Sequence, residues 1–326
     1  MPLRSRLLKL LSDGKFHSGE DLGAALGVSR MAVWKHLKAL RELGMDFEVV
    51  RGKGYRLPAY IELLDSDAIS SEIARSTAIH IDSINIFHEL DSTNNWLREQ
   101  CLNGAPSGTV CLAEMQHAGR GRRGRKWVSP FAANLYLSLL WRSPAGAAAL
   151  GGLSLVAGIA VLRSLRARGV EAAGLKWPND ILVNNSKLAG ILIDVVGETS
   201  GPCAVILGTG VNVCMPPLAG ADIDQPWTDL SRQIGPGESS RNRLAAGLLD
   251  HLLSAVTEFE ATGLQPFLEE WRRYDIVAGC QIDLQLPNET ISGRACGIDD
   301  GGALLVETVN GRRRFASGEV SVRFAS

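Results

Sequence analysis

Cysteine pairs, long apolar runs and the common catalytic signatures are all missing from this sequence of 326 residues. The six cysteines form no C-x-x-C pair and the six histidines form no H-E-x-x-H motif, so we expect no dedicated zinc site and no permanently bound cofactor. No run of about 18 uncharged apolar residues occurs, so no membrane span is expected, and the opening residues lack the apolar core of a signal peptide. Scattered thiols suit a reducing compartment, so a cytoplasmic location is expected.

Charge is nearly balanced overall but unevenly placed. The formal net charge is -1, yet residues 1–58 carry eleven Lys and Arg against six Asp and Glu, and the remainder is correspondingly acidic. A basic segment attached to an acidic body favours a nucleic-acid-binding appendage. The length exceeds that of one ordinary core and predicts two or three domains.

The first 57 residues have the pattern of a helix-turn-helix followed by a hairpin. A capping box at Ser18 and Asp21 opens a helix, and Gly27 ends it. A third helix is expected from Arg30 to Leu43. Its apolar side chains should face inward or partly inward, and they are Met31, Val33, Leu37 and Leu40. The strand-like segments 47–50 and 54–57 flank a basic turn and predict a wing.

Basic side chains occupy the parts of this pattern that would meet DNA. In a helix-turn-helix protein the last helix enters the major groove, and lysine and arginine release counterions from the phosphates. The predicted DNA-binding residues are Ser29, Arg30, Trp34, Lys35, Lys38, Arg51 and Lys53. The alternative is a structural three-helix domain with a solvated charged face, which the placement of the charges makes the less favoured interpretation.

Three domains are expected, with a linker near 58–66 where a proline interrupts the pattern and a new helix begins at Ser66 or Asp67. The predicted domains are 1–62, 66–274 and 275–326. In the central domain we expect strands at 81–87, 109–115, 134–141, 180–184, 188–196 and 203–213, and helices at 92–102, 150–168 and 241–259. Several of these strands follow one another without an intervening helix, which favours an α+β fold with a mixed, largely antiparallel sheet. In the last domain, short strands at 281–286, 291–297, 303–308 and 312–316 with tight turns between them predict a small β-barrel of the SH3 type.

The segment 119–127, Gly-Arg-Gly-Arg-Arg-Gly-Arg-Lys-Trp, is the strongest chemical signal. Five positive charges repel one another and three glycines provide no packing, so the segment needs an anion to order it. Glycine backbone and forked guanidinium donors both suit phosphate. Because strand-like runs flank the segment, we interpret it as a lid over a polyanion and not as an RG-rich nucleic-acid contact. No Walker A motif is present.

Three further polar motifs fall at predicted strand or helix ends. Lys176-Trp177-Pro178-Asn179-Asp180 precedes Lys187, which opens an apolar strand and is expected to point into a site. Asp180 could hold Mg²⁺ or fix a neighbouring base. Asp91-Ser92-Thr93-Asn94 opens a helix, where plain N-capping is the simpler interpretation and a polar-ligand site the functional one. Gly208-Thr209-Gly210-Val211-Asn212 places two glycines at a strand end, which by itself is weak evidence of a functional site because glycines are common in turns.

Taken together, these motifs resemble those of the biotin–protein ligases, in particular the bifunctional bacterial type that also represses biotin biosynthesis. The matching segments are 119–127, 129–130 with 134–136, 176–180, 187–192 and 208–212, and the resemblance extends over nearly the whole chain. It implies a central domain of the class II synthetase and biotin ligase type. It also implies that biotin and MgATP give biotinyl-5′-AMP, which then modifies a lysine of biotin carboxyl carrier protein. The adenylate would promote homodimerisation and operator binding.

The resemblance also implies roles for individual residues. Catalysis would rest on Lys187, Arg122 and Arg120. Biotin would contact Ser92, Thr93, Asn94, Gln116, Arg120, Gly121, Arg122, Lys187 and Gly190. The nucleotide would contact Arg122, Arg125, Trp127, Lys176, Asn179 and Asn212, with Asp180 on the magnesium side. One departure is Ala132, where the family often has glycine; alanine resists a positive φ by about 1 kcal/mol.

Two rival functions stay open from the residues alone. The chain could be a regulator that senses a small anion without catalysis, or another adenylate-forming ligase, such as a lipoate ligase. If the protein dimerises, the run Leu188–Val196 is a candidate edge strand for extending the sheet.

Overall fold

The computed structural model describes residues 3–42, 45, 47–57, 61–197, 201–221, 223–235, 237–286, 289–316, 318 and 320–325. Its helices are α1 (Leu3–Leu11), α2 (Gly19–Leu26), α3 (Arg30–Glu42), α4 (Ser66–Glu72), α5 (Arg75–Ala78), α6 (Thr93–Leu102), α7 (Leu153–Arg166), α8 (Pro217–Gly220), α9 (Leu230–Ile234), α10 (Arg241–Thr262) and α11 (Leu268–Tyr274). Among the described residues, no helix is both long and apolar enough to cross a bilayer.

The strands form three separate sheets, and their bounds follow the predicted runs closely. They are β1 (Glu48–Val50), β2 (Gly54–Arg56), β3 (Ser83–Leu90), β4 (Thr109–Gln116), β5 (Leu135–Ser143), β6 (Ala173–Lys176), β7 (Asp180–Val183), β8 (Ser186–Gly197), β9 (Cys203–Val211), β10 (Gln281–Gln285), β11 (Thr290–Ile298), β12 (Leu304–Thr308), β13 (Gly311–Phe315) and β14 (Ser321–Phe324).

The front of the chain is a winged helix-turn-helix, as predicted. Ser18 caps α2 by accepting a hydrogen bond from the backbone N–H of Asp21 at 3.0 Å, and Gly27 ends α2 with φ 70°. Helix α3 is described to Glu42, and Leu43 lies outside the described residues. The β1–β2 hairpin forms the wing. The prediction for Met31 was wrong: its side chain is 62% exposed, because it lies on the outer face of α3.

The central domain is built on a seven-stranded sheet in the order β3-β4-β5-β9-β8-β7-β6. Only the β3–β4 pair is parallel among the neighbours in this sheet, which confirms a mixed, largely antiparallel arrangement. Helices α7 and α10 pack together and bury a continuous apolar core with the sheet. Strand β6 was not predicted, because it has four residues and contains a glycine.

Strand β8 is not an edge strand along its whole length, so the prediction for Leu188–Val196 was partly wrong. Strand β9 pairs with β8 from Ala189 to Gly197, whereas β7 pairs with β8 only as far as Gly190. One further hydrogen bond extends this pairing, because the backbone N–H of Ile191 donates to the backbone carbonyl of Asn179 at 2.9 Å. Within the described part of the chain, residues 192–197 therefore have one side without a paired strand.

The segment that joins the first two domains is held by buried polar groups. Helix α4 begins after the cap residue Asp65, close to the predicted start, and residues 58–60 of the predicted linker lie outside the described residues. Arg241, at the start of α10, forms a buried ion pair with Glu114 at 2.7 Å and donates to the carbonyl of Glu62. Glu114 also accepts from the backbone N–H of Leu64 at 2.6 Å. A buried charge tolerates burial only when it is paired in this way.

The C-terminal strands form a five-stranded antiparallel sheet in the order β13-β12-β11-β10-β14. The first four strands were predicted within two residues. Strand β14 was missed, although it pairs with β10 and brings Arg323 toward the central domain. The antiparallel sheet agrees with the expected all-β tail.

Candidate active site

The predicted lid borders a cavity at one end of the central sheet. The cavity encloses about 80 Å³, and the segment 120–122 with 125–127 forms one of its walls. The predicted site residues that line it are Ser92, Thr93, Asn94, Gln116, Arg120, Gly121, Arg122, Arg125, Trp127, Asn179, Asp180, Lys187 and Gly190. The fold therefore brings together motifs that are separated by almost a hundred residues in the sequence.

A buried network of polar side chains forms the floor of the cavity. The Ser138 hydroxyl lies 2.7 Å from the Thr93 hydroxyl and 2.6 Å from the Asn94 carbonyl oxygen. Gln116 accepts from the backbone N–H of Thr93 at 2.9 Å. Ser92 makes no side-chain cap hydrogen bond, so the simple capping interpretation of this residue was wrong. Such a network can recognise a polar ring whose edge presents both donors and acceptors.

The two glycines of β9 clear space for side chains of the site. A Cβ atom on Gly208 would lie 2.2 Å from the Asn94 carbonyl oxygen, and one on Gly210 would lie 2.5 Å from the Trp127 ring. Between them, the buried hydroxyl of Thr209 has no hydrogen-bond partner among the described residues. The weak Gly-Thr-Gly signal in the sequence is thus explained by close approach of two neighbouring elements.

Lys187 and Asp180 form the charged centre of the site. The Lys187 Nζ lies 2.7 Å from Asp180 Oδ1, and both side chains are mostly buried. Burial by itself would raise the pKa of Asp180, but Lys187 and Lys176 hold that pKa below its ordinary value. Burial lowers the pKa of Lys176 to about 8, against the opposing attraction of Asp180. The carboxylate is therefore ionised at neutral pH and flanked by two amines.

The lid contacts the C-terminal domain as well as the cavity. Arg122 donates to Asn179 at 3.4 Å and to the carbonyl of Gly318. Arg123 donates to the carbonyl of Gln285 at 3.0 Å, and Arg125 donates to Ser321 at 3.2 Å. On the other side, Arg120 donates to Asn95 at 2.6 Å. The sequence did not reveal that the tail holds the lid, because the contacts are to backbone carbonyls and one hydroxyl.

Two predicted site residues lie outside this cavity. Lys176 lines a neighbouring cavity of about 230 Å³ together with Asp180, Lys187 and Arg323. Asn212 lines a second neighbour of about 250 Å³ beside Trp227, and its amide donates to the carbonyl of Thr228 at 3.0 Å. Sequence reasoning missed Ser138, Gln225 and Arg323, since none of them belongs to a recognisable motif. It also gave no role to Thr209, although Thr209 stands in the Gly-Thr-Gly motif.

The predicted DNA-binding residues all lie on the surface of the front domain. Those of the α3 region (Ser29, Arg30, Trp34, Lys35 and Lys38) are exposed, as are Arg51 and Lys53 at the tip of the wing. Ser29 also accepts from the backbone N–H of Ala32 at 3.2 Å, so it acts as the helix cap as well. The exposed basic residues of the α3 region thus lie on the helix that a helix-turn-helix protein places in the major groove.

Comparison with known proteins covers all three domains. The HTH domain model matches residues 3–56, the Biotin/lipoate A/B protein ligase family model matches 86–212, and the Biotin protein ligase C terminal domain model matches 279–323. The bifunctional ligase/repressor BirA of Salmonella typhimurium is 43% identical over 98% of this chain and 97% of that protein. The protein of the same name from Escherichia coli is 41% identical over the same shares.

Solved structures give the same result for the fold. The biotin protein ligase from Aquifex aeolicus, in complex with biotin and ATP, is 27% identical and aligns with a TM-score of 0.64 over 75% of this chain and 100% of that chain. A winged helix-turn-helix joined to this cationic, glycine-lined site defines a DNA-binding ligase. The chain belongs to the family of bifunctional biotin–protein ligases and repressors.

Proposed function

We propose that this protein joins biotin to a lysine of biotin carboxyl carrier protein at the expense of ATP, and represses biotin biosynthesis through its front domain. One observation carries the enzymatic proposal: the arginines of the lid, Lys187 and the buried polar network all line one cavity. The proposed boundaries remain 1–62 for DNA binding, 66–274 for catalysis and 275–326 for the tail. Six free thiols are consistent with the proposed cytoplasmic location.

The proposed reaction needs no nucleophile from the protein. The biotin carboxylate attacks the α-phosphorus of ATP, the bond to the bridging oxygen breaks, and pyrophosphate leaves. The lysine amine of the carrier then attacks the acyl carbon of biotinyl-5′-AMP, which forms an amide and releases AMP and a proton. Because carboxylate and triphosphate repel each other, the protein has to supply positive charge and alignment.

Each group of residues has a proposed part in these steps. Ser92, Thr93, Asn94 and Gln116 hold the biotin head in the buried network, while Gly121 and Gly190 allow close approach. Arg120, Arg122 and Lys187 neutralise the carboxylate and the α-phosphate. The nucleotide lies toward Trp127, Asn179 and Asn212, with Arg125 and Lys176 near its phosphates. Arg323 joins this set, because it lines the same cavity as Lys176.

Magnesium enters with ATP as part of the substrate. The described residues contain no cluster of three or more metal-ligating side chains, and Asp180 is the carboxylate that faces the site. This donor set fits Mg²⁺, which keeps most of its ligands as water and phosphate and takes one or two protein carboxylates. Asp180 would hold the ion, and the ion would neutralise charge on the phosphates.

Exchange of labelled pyrophosphate into ATP tests the first half-reaction. We expect exchange in the presence of biotin and none with lipoate or without an acid. Exchange only with lipoate would point to the lipoate-type ligase, and exchange with neither acid would leave a sensor without catalysis. Transfer to the carrier domain, followed by mass spectrometry, tests the second half-reaction.

Lys187→Ala should lower the rate of pyrophosphate exchange by about 100-fold, because one cation is removed from the reacting centre. Lys9→Ala, on the exposed surface of α1, is the matched control and should exchange at the wild-type rate. Since Asp180 would lose its partner, thermal melting of Lys187→Ala is measured alongside. A folded variant with an unchanged rate would refute the role of Lys187.

A further inference from the structure

A cavity separate from the three around the active site lies between the C-terminal end of α7 and the first turns of α10. It encloses about 480 Å³ and is lined by Ser164, Ala167, Arg168, Ile234, Gly237, Glu238, Ser240, Arg243, Gly247 and His251. None of these residues lines the active-site cavity. A cavity of this size can take a small ligand, and nothing in the proposed ligase chemistry uses it.

Ser164 places an unused hydroxyl in the wall of this cavity. Its side chain is 2% exposed, and its Oγ has no hydrogen-bond partner among the described residues. A serine inside a helix ordinarily donates to the carbonyl four residues earlier, and Ser164 does not. A buried hydroxyl without a partner is costly, and a ligand atom in the cavity would remove that cost.

Arg168 converges on the same point as Ser164. An ideal Cβ on Gly247 would lie 3.6 Å from Ser164 Oγ and 4.0 Å from Arg168 Nη2, so the glycine leaves the space between the two groups open. Within the described part of the chain, the Arg168 guanidinium forms no ion pair or side-chain hydrogen bond. Burial lowers the pKa of Arg168, and the nearby charge of Arg243 lowers it further. Glu72 and Glu62 oppose this effect, but neither carboxylate forms an ion pair with Arg168 among the described residues.

The acidic groups near this cavity are occupied or peripheral. Glu62 accepts hydrogen bonds from Ser240 at 2.9 Å and from the backbone of Arg241 at 2.5 Å. Glu72 lies 3.6 Å from Arg243 at the exposed surface. Glu238 is exposed and forms no ion pair among the described residues with either arginine of the cavity. The space in front of Arg168 is therefore open to an external anion.

We propose that this cavity is a binding site for a phosphate group, either inorganic phosphate or the phosphate of a small monoester. The guanidinium of Arg168 and the hydroxyl of Ser164 supply donors in different directions, which suits a tetrahedral oxyanion. Arg243 and the ring of His251 line the rest of the cavity. The site lies beside the start of α10, where Arg241 and Asn242 hold the segment between the front and central domains.

Isothermal titration of the full chain with inorganic phosphate, at constant ionic strength, tests the site. We expect Arg168→Gln to weaken phosphate binding at least tenfold and Ser164→Ala to weaken it at least threefold. Arg98→Gln removes the same charge from an exposed position of α6 and should bind like the wild type. Phosphate that binds in the active-site cavity would still bind to Arg168→Gln. Only the part of the wild-type phosphate binding that this variant loses is therefore assigned to the cavity between α7 and α10.

Two further measurements make the outcome decisive. Glycerol 3-phosphate is titrated in parallel: tighter binding than inorganic phosphate would identify a monoester as the ligand, and equal binding would show that the phosphate alone is recognised. Melting curves verify that each variant is folded, and Ser164→Ala leaves the charge unchanged. The proposal is overturned if both folded variants bind phosphate like the wild type, or if chloride at the same ionic strength abolishes binding.

Discussion

Lys176 is the buried residue whose charge is most sensitive to pH in the neighbourhood of the active site. Its pKa of about 8 in the folded chain lies below the ordinary 10.5. Between these values the unfolded chain binds more protons than the folded chain, so this residue makes the free energy of unfolding rise as pH increases from 8 to 10.5. Over the same range the folded protein loses the positive charge of the Lys176 amine, which we propose lies near the ATP phosphates.

The specificity constant for ATP should therefore fall above pH 8 in the wild type. Lys176→Arg should keep its value to a higher pH, because arginine stays charged throughout this range. Initial rates of adenylation at limiting ATP, measured from pH 6.5 to 9.5, give both profiles. Lys9→Arg serves as the control and should follow the wild-type profile. Identical profiles for the wild type and Lys176→Arg would rule out Lys176 as the titrating group.

At the residue scale, sequence reasoning found charged groups better than neutral ones. Lys187 and Asp180 stand in motifs whose chemistry is readable, and they form the ion pair at the centre of the site. Ser138 gave no signal, and Thr209 was given no role despite its weak motif, because a buried hydroxyl in a strand is usually structural. Ala132 adopts φ 53°, the region that its alanine side chain resists, so the departure noted in the sequence is accommodated as strain at the exit of the lid.

At the scale of elements, arginines of the predicted lid form hydrogen bonds to two domains. Arg122 bonds to Asn179 in the central domain and to the carbonyl of Gly318 in the tail, and it lines the cavity. Among the described residues, the Arg123 side chain bonds to the carbonyl of Gln285 in the tail, and it does not line the cavity. Comparing variants of Arg122 and Arg123 therefore distinguishes the effect of losing a contact at the cavity from the effect of losing one positive charge in the segment.

Arg122→Gly should weaken the lid and let biotinyl-5′-AMP escape, so that lysines of unrelated proteins become labelled. Arg123→Gly is a matched control because it removes the same charge at a position with φ 58°, which glycine tolerates. It should retain the adenylate, because Arg122 and Arg125 still bond to the tail and Arg122 still lines the cavity. Streptavidin blotting of added albumin and the dissociation rate of the adenylate measure the effect. Equal retention by both variants would contradict the lid model.

Helix α3 provides an element-scale test of DNA binding. Lys35 is exposed on the outer face of this helix, so Lys35→Ala should remove about one phosphate contact. The slope of log K against log salt for operator DNA should then become shallower by about one unit. Lys9→Ala on α1 should leave the slope unchanged. A wild-type slope in Lys35→Ala would place the DNA elsewhere on the front domain.

The prediction of elements from sequence succeeded where periodicity was strong and failed where it was short. The long strands β4, β5, β8 and β9 and the helix α10 were found to within a few residues. Strands β6 and β14 have four residues each, too few for an alternating pattern to be visible. The equally short β1 and β2 were found because the basic glycine turn between them marks a hairpin. The pairing of β7 with only the first part of β8 could not be predicted, because strand partners and register depend on tertiary contacts.

At the scale of the whole molecule, the three domains meet around the active site. Phe131, just beyond the lid, is buried in the apolar cluster of the front domain, and Arg4 of α1 forms an ion pair with Glu89 of β3 at 2.9 Å. On the opposite side, the lid contacts the tail. The domain order was readable from the sequence, but these junctions were not, because they join residues that carry no shared motif.

We propose that the protein dimerises through the unpaired side of residues 192–197, since an open strand edge can extend the sheet of a second copy. Val195→Lys places a charge on this segment, where Val195 is 40% exposed, and should prevent dimerisation in the presence of biotin and MgATP. Val309→Lys, in the tail at a position that is 98% exposed, introduces the same charge away from this edge and should dimerise normally. Sedimentation velocity gives the oligomeric state, and pyrophosphate exchange verifies that each variant still forms the adenylate. If Val195→Lys makes the adenylate and still dimerises, the interface lies elsewhere. At the proposed interface the introduced lysine would either lie opposite the same lysine of the second copy, where like charges repel, or be buried away from water.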